Sequence, residues 1–484
     1  MLRTKLIVRD HVNCNFVGLD PAIRRKIYDA LKFAVPGAKY TPQFKLGRWD
    51  GTVSFCTIGG ATYLNLVDRI LPIIIEAGYE IDIDDKRQEY RFDFPEPTDQ
   101  MFANRQWPLG HPLAGEPIML RDYQVEAIRR YLDNLQSVQE IATGGGKSLM
   151  AASLSAIIEP YGRSVVIVPS KSLVRQTAQD YRNLGLDVGL FYGEKKEWGH
   201  KHTIATWQVL ASLAKRKTGN QTIADFIDNV TCIMVDECHS IAGSVLRNLL
   251  CGALANVPVR WGFTGTIPKE EHEKVGIIAS IGEVVGQMRA AELQSRSILA
   301  DCQVDIVQLR DNHVGFRDYE AEHMYLVTDA ARMLYIAGLL RDIGDSGNTL
   351  VLVDRIETGE ILHGLLPGSA FVYGNTKTTE REQQYRAVQF ENCKIIIATY
   401  GVAAIGIDMP RLFNLVLLEA GQSFVRTIQS VGRGLRKAKD KDYIRIIDIC
   451  SSLFFSNRHL GKRKRYYAEA HYPHVIRKVN YREQ

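Results

Sequence analysis

Two short stretches of this chain carry the residue types that handle a polyphosphate. EIATGGGKSLM, from Glu140, sets Thr143, Gly144, Gly145 and Gly146 ahead of Lys147 and Ser148. Glycines let backbone N–H groups curl around phosphate oxygens, a lysine there reaches the β- and γ-phosphates, and a serine at the start of the next helix can hold Mg²⁺. One departure is local: the pattern G-x-x-x-x-G-K-[ST] wants glycine at position 141, where this chain has Ile141. The second stretch is VDECHS, Val235 to Ser240. Three chemistries compete for it: a Cys-His nucleophile, part of a zinc site, or two carboxylates acting on a metal-bound nucleotide. Cys238 and His239, adjacent on an extended strand, point to opposite faces and are poorly placed for proton transfer. Cys232 and Cys238 share a face but lie roughly 20 Å apart at about 3.3 Å per residue, too far to ligate one metal. The carboxylates remain, with Asp236 on Mg²⁺ and Glu237 orienting and deprotonating an attacking water.

A third stretch, QSVGRGLRKA from Gln429, places Arg433 and Arg436 three apart, so neighbours on one helix face. Facing a γ-phosphate held by another domain, they would act as arginine fingers, worth on the order of 10³ to 10⁵ in rate. The bland alternative is a solvated basic helix end.

Such residues need rigid elements beneath them. Short β-branched runs recur between helical patterns: VQEIAT, SVVIVPS, TIATW, CIMVDE and RWGFTGT, then NTLVLVD, SAFVYG, KIIIATYG, LFNLVLLEA and YIRIIDIC. Continuous apolar strands alternating with amphipathic helices predict parallel sheets covered on both faces. They are too many for one comfortable sheet, so the fold class is α/β with two parallel-sheet domains meeting near Ser295 to Asp301. The proline-rich stretch FPEPTDQMFANRQWPLGHPLAGEP has neither period and marks a linker after a small N-terminal domain.

The bulk numbers agree with this plan. At 484 residues the chain exceeds what one hydrophobic core usually serves. Its 45% hydrophobic and 24% charged residues are those of an ordinary globular protein. The eight cysteines form no C-x-x-C pair, which argues against a disulfide framework or zinc ribbon. No apolar run is long enough to span a bilayer, and MLRTKLIVRD carries charges where a signal peptide needs an apolar core, so the expected compartment is cytoplasmic. A net charge of +5 is mild, but basic residues crowd the end of the chain and would attract a polyanion.

In order, RDYQ at Arg121, ATGGGKS at Ala142, VPSKSLVRQ at Val168, ATWQ at Ala205, DECH at Asp236, GFTGT at Gly262, LVLVDR at Leu350, ATYGVAAIGIDMP at Ala398 and QSVGRGLR at Gln429 resemble the motif set of superfamily 2 helicases and translocases. DECH in place of DEAD, and TGT in place of SAT, lean toward the DNA-acting branch. The resemblance implies two RecA-like domains using ATP and Mg²⁺. By that likeness Gln124, helped by Arg121, contacts the adenine region, and Gly406 and Asp408 line the nucleotide cleft. Gln429 joins Arg433 and Arg436 in the catalytic set, and His239, Thr264 and Thr266 couple the ATP site to DNA. Ser170, Lys171, Arg175, Thr206 and Trp207 would face the strand from the first domain, and Arg355, Thr399 and Tyr400 from the second. Hydroxyls, cations and N–H groups at strand ends also suit sequence-independent phosphate contacts, although simple packing serves Trp207 equally well.

At the start of the chain, PQFKLGRWDGTVSF brackets Arg48, Trp49 and Asp50 between Gly47 and Gly51, with Lys45 nearby. A cation and an aromatic on a tight turn could grip a phosphate and a base; a tryptophan pinning its own turn is the plain alternative. With this segment and the tail GKRKRYYAEAHYPHVIRKVNY, the whole chain resembles phage recombination helicases within superfamily 2. The implied organisation is an N-terminal DNA-contacting domain (1–105), RecA-like domains at 106–297 and 298–456, and a basic C-terminal extension (457–484). The implied work is that of a monomeric, DNA-associated motor that migrates branches, regresses or unwinds forks and moves 3′ to 5′. A duplex translocase, an RNA helicase and an annealing protein with incidental ATPase are the rivals.

Overall fold

Every β-branched run named above forms a strand. In the first half these are Gln136–Ile141, Arg163–Val168, His202–Thr206, Val230–Asp236 and Val259–Thr264. In the second they are Thr349–Val353, Ala370–Val372, Ile395–Thr399, Asn414–Leu418 and Tyr443–Ser451. The computed structural model describes residues 2–109, 111, 113–216, 221–312, 315–388, 390–403, 409, 411–421, 432 and 440–483. These divide into one unit of Met1–Ile141 with Gly146–Gln287 and another of Ala142–Gly145 with Met288–Gln484.

The first unit is built on an eight-stranded sheet. Its order is Lys195–Lys196, Val188–Tyr192, His202–Thr206, Arg163–Val168, Val230–Asp236, Val259–Thr264, Gln136–Ile141, Glu283–Met288. From Val188–Tyr192 through Gln136–Ile141 the pairings are parallel, so both faces must be covered, which is why these strands read as unbroken apolar runs. The helix Lys147–Ile158 buries nearly every residue from Met150 onward against that sheet.

The N-terminal part adds a mixed four-stranded sheet, Ala61–Tyr63, Asn13–Val17, Leu2–Val8 and Tyr79–Asp85. It does not close a core alone: Leu6, Phe16, Ile70 and Ile74 share one apolar cluster with Val275, Ile278 and Ala279 of the helix Glu271–Ser280. Polar contacts reinforce the joint. Asn65 donates to Gln136 Oε1 at 2.8 Å, Gln136 to the His11 carbonyl at 2.9 Å, and Asn13 to the Cys251 carbonyl at 2.8 Å. The proline-rich stretch between them is not structureless, since Phe102–Gln106 pairs antiparallel with Pro117–Ile118.

The second unit carries a seven-stranded sheet in the order Ala370–Val372, Ile395–Thr399, Thr349–Val353, Asn414–Leu418, Tyr443–Ser451, Asp301–Leu309, His474–Val479. Its last strand belongs to the stretch that the sequence sets apart as a basic extension. That stretch is built into the unit: His474–Val479 pairs parallel with Asp301–Leu309, and the helix Phe454–Glu469 buries Leu460, Arg463 and Tyr467. Arg463 is 1% exposed and makes a two-pronged pair with Asp448, both bonds 2.9 Å, while Tyr467 donates to the same carboxylate. Leaving Asp448 buried without its cation costs about 3 to 5 kcal/mol. Arg463→Ala is therefore expected to bring urea unfolding of the full chain to markedly lower concentration. Arg465→Ala, exposed on the same helix, should change stability by less than about 0.5 kcal/mol.

Candidate active site

The strands Val230–Asp236, Val259–Thr264 and Gln136–Ile141 lie side by side and parallel, with Asp236 opposite Phe263 and Thr264 opposite Glu140. Their carboxyl ends therefore open at one edge, where α/β sheets bind ligands. From Ile141 the chain enters the glycine loop. Gly144 has φ +86° and Gly146 φ +82°, both in the left-handed region that glycine occupies without cost. Gly146 is also the N-cap of the helix Lys147–Ile158, and a Cβ there would meet Gln124 Nε2 at 2.2 Å. Gln124 is buried, and its side chain accepts a hydrogen bond from the Arg121 N–H at 2.8 Å. The RDYQ glutamine thus rests directly on the loop's last glycine.

Lys147 Nζ donates to the Ile141 carbonyl at 3.4 Å and lies 3.5 Å from Glu237 Oε1. Ser148 is exposed in the first turn. Asp236 ends its strand, and Glu237 then turns into the left-handed region at φ 51°, ψ 48°, its N–H donating to Asp236 Oδ1 at 3.0 Å. A non-glycine residue held there costs of order 1 to 3 kcal/mol, and such strain gathers at functional sites. Glu237 Oε2 is 3.4 Å from His239 Nδ1, which also lies 3.0 Å from Thr264 Oγ1. Thr264 in turn donates to the Thr266 carbonyl at 2.8 Å. One polar chain therefore joins Lys147, Glu237, His239, Thr264 and Thr266.

Desolvation, and the Glu237 carboxylate beside it, push the Asp236 carboxyl up to about 6, with Lys147 opposing. That repulsion is what a divalent cation would relieve, so Asp236 and Ser148 suit Mg²⁺. Cys238 is fully buried, and a Cβ on Gly262 would sit 3.1 Å from its sulfur. Burial pushes its thiol far up, which fits packing rather than nucleophilic work.

The expected strand-facing residues are more heterogeneous. Lys171 and Arg175 are exposed on the helix Lys171–Asn183, and Arg175 donates to the Tyr192 hydroxyl at 2.9 Å, its guanidinium carbon 5.5 Å from the centre of that ring. Nothing local in the sequence marks Tyr192. Ser170 caps this helix by accepting from Leu173 N–H. Thr206 is buried, and Trp207 packs on the sheet's core. In the second unit, Arg355 pairs with Glu320, Thr399 ends its strand and Tyr400 is buried. In the N-terminal part Lys45 and Arg48 are exposed, whereas Trp49 donates to the Thr52 carbonyl at 2.7 Å. Gly406, Asp408, Gln429, Arg433 and Arg436 lie outside the described residues.

Three stretches of the chain match known families. Residues 5–84 match the family described as DNA helicase UvsW, N-terminal; 117–269 match Type III restriction enzyme, res subunit; 331–438 match Helicase conserved C-terminal domain. The chain is 23% identical over 470 residues to the ATP-dependent DNA helicase uvsW of Enterobacteria phage T4, covering 91% of this chain and 89% of that protein. It is 24% identical over 376 residues to the DNA 3'-5' helicase XPB of Kineococcus radiotolerans, covering 75% and 65%. Among solved structures, the ATP-dependent Type ISP restriction-modification enzyme LlaBIII bound to DNA aligns with a TM-score of 0.55 at 14% identity, covering 85% of this chain and 34% of that one. That last likeness is one of fold.

Two outcomes follow from the loop geometry. Gly146→Ala, forced into a left-handed backbone and against Gln124, should lose binding of a fluorescent ATP analogue while keeping its circular dichroism. Lys147→Ala should abolish ATP turnover, whereas Glu237→Gln should retain ATP binding and lose turnover, separable by comparing nucleotide affinity with phosphate release.

Proposed function

We propose that this chain, which carries the domains of a superfamily 2 ATP-dependent helicase, is a motor that works on branched DNA, migrating junctions and regressing or unwinding forks in recombination, repair or replication. The observation that carries this reading is the N-terminal part. It matches a DNA-helicase N-terminal family over residues 5–84 and shares its apolar core with the helix Glu271–Ser280 of the motor unit. The relative whose length this chain nearly spans is itself named an ATP-dependent DNA helicase.

In this mechanism the glycine loop and Lys147 hold the phosphates, and Gln124 with Arg121 holds the adenine region. Ser148 and Asp236 would carry Mg²⁺, which supplies charge neutralisation at the β- and γ-phosphate oxygens. Glu237 takes the proton of the attacking water. His239, bonded between Glu237 and Thr264, passes the state of the nucleotide to the Thr264–Thr266 segment. Arg433 and Arg436, with Gln429, Gly406 and Asp408, complete the ATP site on the likeness of their motifs. Lys171 and Arg175, together with Arg355, track the phosphate backbone without reading sequence.

The match of residues 117–269 to a restriction-enzyme subunit favours a second reading, a translocase on duplex DNA that separates no strands. Steady-state ATP hydrolysis with single-stranded DNA, blunt duplex, a fork, a four-way junction and RNA decides the substrate. Strongest stimulation by forks or junctions, with labelled single strands released, is the expected result. Equal stimulation by blunt duplex without strand release favours the translocase, and a rate indifferent to every nucleic acid overturns the DNA reading.

A further inference from the structure

The loop between Gly37 and Gly51 half-buries the tryptophan that the sequence brings forward and leaves Tyr40 and Leu46 its most exposed apolar side chains. Gly37, Gly47 and Gly51 have φ of 78°, 66° and 78°, and the Val35 N–H donates to the Gly51 carbonyl at 2.9 Å to close the loop's base. Thr41 donates to the Ala38 carbonyl at 2.7 Å and caps the short helix Pro42–Lys45. Asp50 accepts from the N–H and hydroxyl of Thr52 and pairs with Lys32 at 2.9 Å. Two aromatics serve as staples within the loop, Trp49 half-buried and Phe44 38% exposed. Trp49 is tied to the Thr52 carbonyl, and the Phe44 ring fills the space over Gly51, where a Cβ would meet it at 3.0 Å. Tyr40 and Leu46, by contrast, are 71% and 64% exposed.

A fixed loop that holds an aromatic and an aliphatic side chain in water, among the exposed cations Lys39, Lys45 and Arg48, has the chemistry of a nucleobase contact. Every base offers an apolar π-face for stacking, apolar side chains wedge against base steps, and the flanking cations meet the phosphates. Lys39 Nζ lies 5.2 Å from the centre of the Tyr40 ring, so ring and cation present one composite surface. Resting on the DNA reading above, we infer that Tyr40 and Leu46 form a stacking site for an exposed nucleobase, supplied by an unpaired strand or by the last pair of a duplex arm. Trp49 acts there through the shape of the loop and not by touching the base.

The test uses the full chain with Tyr40→Ala combined with Leu46→Ala, and separately Tyr40→Trp. Both side chains are exposed, so circular dichroism should be unchanged. The probes are a single-stranded oligonucleotide, a fork, and a closed circular duplex that offers no exposed base. The double variant should bind the first two about tenfold more weakly and separate fork strands correspondingly slowly, with ATP hydrolysis on the circle unchanged. Tyr40→Trp should keep both near the wild-type level. Loss confined to the single strand assigns the base to an unpaired strand, and loss confined to the fork assigns it to the terminal pair. Undiminished binding and strand separation by the double variant, an equal loss on the circle, or failure of tryptophan to replace tyrosine would overturn the site. Wild-type ATP hydrolysis indifferent to all three DNAs would instead overturn the DNA reading on which it rests.

Discussion

Parallel registration of three neighbouring strands, Val230–Asp236, Val259–Thr264 and Gln136–Ile141, is what the candidate ATP site depends on. Because they run the same way, the residues that leave their carboxyl ends arrive at one edge although they are far apart in sequence. A slip of one residue would turn each side chain to the opposite face and part Asp236 from Phe263, His239 from Thr264 and Glu237 from Lys147. Tight packing resists such a slip. Tyr131 donates to the Gly262 carbonyl at 2.6 Å, and the Cys238 sulfur occupies the space left by the missing side chain of Gly262.

The motif cysteine and histidine thereby acquire separate duties. Cys238 locks the turn after the acid pair against the central strand, which lets Glu237 persist in a conformation that a free chain would leave. His239 lies between Glu237 and Thr264, the one imidazole in the chain of contacts running from Lys147 to Thr266. Changes in charge at the nucleotide end therefore have a route of polar contacts toward the segment after the strand Val259–Thr264.

The second unit is held differently, by buried charge. Arg332 reaches Glu419 at 2.5 Å and lies 3.4 Å from Asp311. Asp311 accepts from Tyr481 and Ser451, and Ser456 donates to Glu419 at 2.7 Å. Burial pushes the Glu419 carboxyl up, opposed by Arg332. With the Arg463–Asp448 pair, these contacts tie the last helix and strand to the middle of the sheet. Buried pairs of this kind contribute little net stability over a well-packed apolar core but are costly to break, so they fix which elements dock where.

The ten β-branched runs, and the left-handed glycines before Lys147, were legible in the sequence alone because each rests on local chemistry: unbroken apolar runs mark strands buried on both faces, and glycine takes a left-handed backbone without cost. Strands such as Val188–Tyr192 and His474–Val479 were not, since glycine breaks the first run and exposed arginine and lysine disguise the second. Tertiary structure alone decided that the basic end of the chain completes a sheet, that the N-terminal part shares the motor unit's core, and that Trp49 is half-buried and tied to its own loop while Tyr40 and Leu46 stand in water. The physical reason is the same in all three cases: burial is a property of what packs on a side chain from distant parts of the chain. Residue type sets what a group can do, and only those distant neighbours set whether it meets water.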